Sequence, residues 1–405
     1  MKRKFTWPLL IVLGIAVVPL FIMGLWAFMT LTAVPIHPNA DGVSSVTQAE
    51  PPQALGESVI RARQLVRAHL TERNVPGMSV AVGLHGDLVW AEGFGWADLE
   101  NRVPVEPDTR FRIGTASVAL TSAAIGVLLD GGRLKLDDEL QAYVPEFPRK
   151  QWPVTLRQLM AHTAGIRTDG GDEGPLLSAR CERPVEALEL FDKHPLLFEP
   201  GSRYQYSSYG WILLSAAVEA VAGEPFLTFM RRRIFDPLGM DDTRTDFADA
   251  VTAGQTTYYF PRFAADPRYG YHLMRELEYS CYAGASAFLS TPSDLVRFGL
   301  AVSSGTLLTP ATVELLQTPQ RLANGEETGY GLGWDIETAT LAGKQVRVAG
   351  HDGDSLGGMV ASLLTFREQG IVVAVTSNIS YAETFSLATR IADVFAERAS
   401  APARK

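Results

Sequence analysis

FRIGTASVALTS, residues 111–122, decides the fold. Phe111-Arg112-Ile113 is a short strand-like run, Gly114 interrupts it, and the apolar positions that follow recur at helical spacing towards Asp130 and Gly131. A strand running into a helix is where many hydrolases mount a nucleophile. Outward from that point, MSVAVGL (78–84) and DLVWAEGFG (87–95) flank a turn at His85-Gly86-Asp87 and predict a β-hairpin. Leu55, Val59, Ile60, Ala62, Leu65, Val66 and Leu70 predict a helix before it. GGMVASLLTF (357–366) and GIVVAVTSN (370–378) predict a second hairpin, and ETFSLATRIADVFAERA (383–399) a closing helix. Helix and hairpin at the start, hairpin and helix at the end, imply an α/β fold. Its antiparallel sheet is built from both ends of the chain and flanked by the N- and C-terminal helices. A mostly helical lobe, about 117–320, is inserted between them.

The chain has 405 residues, 46% hydrophobic and 20% charged, enough for one two-lobed unit with a large core. Lys2, Arg3 and Lys4 precede an uncharged stretch from Phe5 to Ile36, long enough to span a bilayer. Residues 1–36 are therefore expected to form a membrane anchor with its cations on the cytoplasmic side, as a single pass of a bacterial-type inner membrane. Residues 37–54, polar with Pro and Gly, read as a linker. Residues 55–397 form the folded domain on the periplasmic side, and 398–405 a tail. Setting aside the three N-terminal cations leaves 33 against 45 acids, a net charge of about −12. With no dense basic run, nucleic acid is excluded as a partner. Cys181 and Cys281 could pair in an oxidising compartment or stand as two buried thiols. No metal-ligand spacing occurs, so neither metal nor cofactor is expected. His85 reads as a turn residue, His162 as a structural hydrogen-bonding residue, and His37, His194 and His272 as surface. TDGGDEGP (168–175) reads as a lid.

Three stretches carry the chemistry: RIGTASVALTSAAIGVLLDGG from Arg112, PGSRYQYSSYGWILL from Pro200 and VAGHDGDSLGGMVASLLTF from Val348. In this order they resemble the serine β-lactamase and penicillin-binding-protein superfamily, in its class C-like branch of esterases, DD-peptidases and β-lactamase-related proteins. LRQLMAHTAGI (156–166), FDPLGMDDT (235–243), GASAFLSTPSDLVRFG (284–299) and YGLGW (330–334) support the resemblance, which covers about 55–397. The family's motifs are S-x-x-K, Y-x-N and K-T-G or H-x-G.

The resemblance puts Thr115 at the serine and Val118 at the lysine that activates it. None of the seven lysines has a serine three residues before it. A hydroxyl is a weak nucleophile without a base in reach, and valine cannot accept a proton. Tyr206 keeps the second motif's tyrosine, while Ser208 stands at its asparagine. His351 and Gly353 keep the third motif. Asp354 stands where the resemblance implies a backbone donor to the oxyanion hole, and Asp352 is expected to add negative charge to the site. Ser117, about 200° round the helix from Thr115, is a weaker alternative nucleophile or ligand contact. The block GDSL (353–356) spells a motif of another esterase family, out of its usual N-terminal context. The expected catalytic set is thus Thr115, Tyr206 and His351, with Ser208, Gly353, Asp354 and Ser117 as binding positions. Two functions compete: slow or altered hydrolysis of an ester or amide, from a small-molecule or cell-wall-like substrate, through Thr115, and non-catalytic binding of a cell-envelope ligand or a partner protein in the old cleft.

Overall fold

The computed structural model describes residues 7–48, 51–167, 176–248, 254–274, 277–355 and 358–400. The expected lid 168–175 and the cations Lys2, Arg3 and Lys4 lie outside them. So do Leu356 and the side chain of Asp354.

The main sheet is antiparallel. Its strands are β1 (Ser45–Thr47), β2 (Gly77–Leu84), β3 (Asp87–Asp98), β4 (Asp335–Leu341), β5 (Lys344–Ser355), β6 (Met359–Phe366) and β7 (Ile371–Ser377), in the order β1-β3-β2-β7-β6-β5-β4. Val103–Pro104 pairs with β3 at one edge. The two expected hairpins meet at the centre, where β2 and β7 pair from Leu84–Ile371 to Met78–Ser377. Every residue of β7 is buried, as a run of β-branched and small apolar residues on both faces requires.

Six helices matter for the site: α1 (Trp7–Leu31), α2 (Gly56–Arg73), α3 (Ser117–Asp130), α4 (Ser208–Ala222), α5 (Pro292–Ser304) and α6 (Thr384–Ser400). One face of the sheet buries Val80, Val82, Val373, Val375, Val360 and Leu364 against α2 and α6. The other face packs on α5 and on the helical lobe, whose core holds α3 and α4. The ends of these helices are written locally. Ser207 caps α4 by accepting from the Gly210 N–H at 3.3 Å, Thr291 caps α5 ahead of Pro292, and left-handed Gly223 and Gly305 end them.

Two sequence expectations change here. Residues 37–48, the first part of the expected linker 37–54, are not a free tether: Ile36 N–H donates to Asn74 Oδ1 at 2.7 Å, Val43 is buried, and β1 pairs with β3. His37, expected at the surface, is buried with Nε2 3.1 Å from the carbonyls of both Val75 and Pro76. A three-residue strand with polar flanks has too little periodicity to announce itself, and it persists by pairing with the edge of an existing sheet. The cysteines are joined: Cys181 and Cys281 form a disulfide with Cα atoms 4.8 Å apart, pinning the segment beyond His162 to the helical lobe.

Of α1, side chains are described from Val18 onward. That apolar stretch, Val18–Leu31, is by itself too short to cross a membrane.

Candidate active site

Strand Phe111–Arg112 leads into a single 3-10 turn, Gly114–Ala116, that continues as α3. Gly114 takes φ +52°, a left-handed conformation that turns the chain from strand to helix. Arg112 is committed to holding this corner. Its Nε pairs with Asp246 Oδ2 at 2.5 Å, and its guanidinium lies 4.1 Å and 4.7 Å from the rings of Tyr258 and Tyr279.

Strand β5 crosses directly over the turn. A Cβ on Gly353 would stand 2.4 Å from Ile113 O, 2.9 Å from Ala116 N and 3.1 Å from Thr115 N, so only glycine permits this approach. The contact brings the Asp352 carbonyl within 3.0 Å of Thr115 Oγ1, which donates to it. His351 Nδ1 lies 3.1 Å from the same oxygen. A carbonyl can only accept, so Nδ1 carries a proton, and Nε2 lies 3.1 Å from Tyr330 Oη. Burial, with Tyr206, Asp335 and Tyr204 adding negative potential, pushes the Tyr330 phenol well above its ordinary range and keeps it protonated.

Tyr206, half-buried, packs its ring on His162 at 4.1 Å between centroids and stands 6.4 Å from His351. His162 is structural, as expected. The Ser207 N–H donates to its Nδ1 at 3.1 Å, and burial followed by proximity to His351 drives its pKa well down, so it stays neutral. The structure thus joins Thr115, His351 and Tyr206 through the Asp352 carbonyl and a ring cluster. Sequence reasoning missed Tyr330 as a site residue, although it opens the YGLGW stretch.

Other expectations are corrected. Ser117 is fully buried in the helical lobe, which removes it from the cleft. Ser208, the first residue of α4, is also buried, at 6% exposure. The Asp352 carboxylate does not line the cleft. Strand alternation sends it to the opposite face from His351 and Gly353, where it accepts from Ser362 Oγ, itself bonded to Thr384 Oγ1 at 2.7 Å. Asp354 pairs through its backbone with Val360; its side chain lies outside the described residues. Gly353 to Ser355 belong to β5, so GDSL is not the strand-to-turn block of the other esterase family.

The decisive position is Val118. It is fully buried in the core of the helical lobe, one turn along α3 from Thr115. Among the described residues, the only side-chain hydrogen bond of Thr115 runs to a carbonyl, which is no base. Among them, too, no group of His, Cys, Asp and Glu could hold a metal ion.

A two-lobed α/β fold with a hydroxyl at a strand-to-helix turn, a tyrosine loop and an H-x-G strand defines the serine penicillin-recognising class. The family model "Beta-lactamase" matches residues 62–396, and the chain belongs to that family. It is 27% identical to the mitochondrial serine beta-lactamase-like protein LACTB of Mus musculus, over 88% of this chain and 86% of the mouse protein. It is 28% identical to penicillin-binding protein 4* of Bacillus subtilis, over 66% and 60%. The fold superposes on the octameric penicillin-binding protein homologue from Pyrococcus abyssi with a TM-score of 0.68, at 24% identity, over 82% and 76%.

Proposed function

We propose that the chain is a membrane-tethered binding protein that retains a serine-hydrolase cleft and no longer carries out efficient acyl transfer. The observation behind this reading is the Thr115 hydroxyl, which donates its hydrogen bond to the Asp352 carbonyl while Val118 fills the place of the activating lysine. In triad hydrolases, losing the nucleophile or its base costs about 10⁴- to 10⁶-fold in turnover, and binding plus the oxyanion hole retain about 10³- to 10⁴-fold over water. A small-molecule or cell-wall-like ligand is what the family supports. The second reading, slow hydrolysis through Thr115, is favoured by one feature: Thr115 is half-buried rather than sealed in the core, with His351 joined to it through the Asp352 carbonyl and Tyr206 beside His351.

Intact mass after exposure to a fluorophosphonate, and separately to a penicillin, separates the two. Wild type and Thr115→Ala should remain unlabelled, and Thr115→Ser/Val118→Lys should gain one adduct. A wild-type adduct that Thr115→Ala abolishes would overturn the binding reading in favour of hydrolysis.

The tether in this proposal is α1, with the domain on the extracytoplasmic side. A helix of 25 residues is about 37 Å long, against a hydrocarbon core of about 30 Å. Phe21, Trp26 and Leu31 are 70%, 58% and 84% exposed, a cost in water that lipid removes. The Cys181–Cys281 disulfide favours an oxidising compartment. Alkaline carbonate should leave the full chain in the membrane pellet, and its release would refute the tether.

A further inference from the structure

Where α1 meets the domain, a cavity of about 500 Å³ opens to the surface, lined by none of the candidate active-site residues. One wall is the chain leaving the helix: Thr32, Val34, Pro35 and Ile36. The others carry Trp96, Leu99, Tyr271 and two arginines, Arg102 and Arg262. The helix end is fixed against this wall. Phe28 meets Phe263 edge to face at 6.1 Å, and Arg262 Nη2 donates to Thr32 Oγ1 at 2.6 Å.

Three features of the cavity point to one kind of occupant. No acidic residue lines it. Arg102 is exposed and, among the described residues, makes no ion pair; the Arg262 guanidinium lies over the Phe263 ring at 4.5 Å and there gives its hydrogen bonds to Thr32 alone, out of five N–H donors. Val34 and Tyr271, which line the cavity, are 72% and 38% exposed; Val103, next to Arg102 in the chain, and Leu273, two residues along the strand from Tyr271, add apolar surface at 47% and 57%. Cations above apolar walls, framed by Trp and Tyr, match the headgroup level of a bilayer.

We infer that this cavity is a binding site for one phospholipid of the leaflet into which α1 emerges. The lipid phosphate would sit on Arg102 and Arg262, and the upper acyl chains along Val34, Ile36 and Leu99. This inference rests on the tether proposed above, because only an α1 that ends at the membrane surface puts the cavity at headgroup depth. Occupancy would fix the height and tilt of the domain over the membrane through two points, the helix and the bound lipid.

The test is photo-crosslinking of the full chain in vesicles carrying a trace of diazirine-bearing phosphatidylglycerol, or of diazirine-bearing diacylglycerol as the phosphate-free control, with peptide mapping. Expected is labelling of α1 by both probes, and labelling of peptides around 96–102 and 262–273 by phosphatidylglycerol alone. Arg102→Gln should lower the second signal about tenfold, the loss of a charge-assisted hydrogen bond, with α1 labelling unchanged. Arg102 is exposed, so this variant carries little folding risk; Leu273→Ser, on the apolar rim, is the second variant and should lower the same signal. Labelled α1 with unlabelled cavity peptides, or cavity labelling equal for both probes or indifferent to both variants, overturns the site and leaves the tether standing. Unlabelled α1 removes the tether, and the site with it.

Discussion

Gly353→Ala puts the geometry of the candidate site under direct test. The added methyl would stand 2.4 Å from Ile113 O, where ordinary contact begins near 3.4 Å, so β5 and the Thr115 turn must part by about 1 Å. All three nearest atoms are backbone, held by the strand-to-helix corner, and none can rotate away. Overpacking of this kind costs about 1–3 kcal/mol. Gly56→Ala is the control: Gly56 has αR dihedrals at the start of α2, nothing lies within 4 Å of its Cβ position, and the substitution should be neutral or stabilise by about 0.4–1 kcal/mol. Equilibrium unfolding in denaturant gives the stabilities, and amide exchange over residues 111–118 reports the corner itself. Loss of stability in Gly353→Ala with faster exchange at the corner supports the close approach. A variant within 0.5 kcal/mol of wild type by the same extrapolation, with unchanged exchange, would mean that β5 does not cross the turn as described.

Three further outcomes follow from buried groups. Burial pushes the Asp294 carboxyl up to about 6, against an ordinary 3.8. The folded state therefore binds this proton more tightly than the unfolded one, so the group's contribution falls as pH rises from about 4 to 6, by about 3 kcal/mol. Asp294→Asn should accordingly cost more stability at pH 4 than at pH 7; an equal cost at both pH values would contradict it. Glu92 is fully buried; burial pushes its pKa up, but bonds from Arg63, Ser45 and Trp90 more than offset this and hold it below its ordinary 4.5. Its contribution is present above the unfolded pKa and lost as pH falls through the folded one, and Arg63→Ala should cost about 3 kcal/mol at pH 7 by stranding the carboxylate. Cys281→Ser opens a crosslink of sequence separation 100 and should cost about 2–5 kcal/mol in thermal unfolding, whereas a melting curve indifferent to reductant would deny the bond a stabilising role.

The fold was readable from the two ends of the chain because β2, β3, β6 and β7 are fixed by short-range rules: period, turn residues and apolar runs. The β4–β5 hairpin was less visible, since β4 is a largely exposed edge strand with a weak apolar pattern. Docking of residues 36–47 was not readable at all, because it depends on Asn74 and on the free edge of β3, both distant in sequence. Within the site, the direction of Asp352 was available from arithmetic alone. If His351 and Gly353 face Thr115, the residue between them cannot. Tyr330 had a weaker signal, because its role comes from a hydrogen bond across 21 residues with a ring nitrogen, a pairing only the structure defines.

The presence of Gly353, His162, His351 and Tyr330 is no argument for turnover here. Gly353 is demanded by packing, His162 by the start of α4, and His351 and Tyr330 by each other and by the Asp352 carbonyl. Each would be kept by a protein that only needed the cleft to hold its shape. Position 118 differs, because there catalysis and stability pull in opposite directions. A lysine at 118 would bring a charge into a core where α3 is buried from Ser117 to Gly126, and an unpaired buried charge costs several kcal/mol. Valine removes that cost and fills the space, so Val118 favours stability at the expense of chemistry. Val118→Lys alone should therefore destabilise the fold, and the double change with Thr115→Ser should trade that stability for a reactive hydroxyl. A double variant as stable as wild type and still unreactive would show that the cleft had lost more than its base.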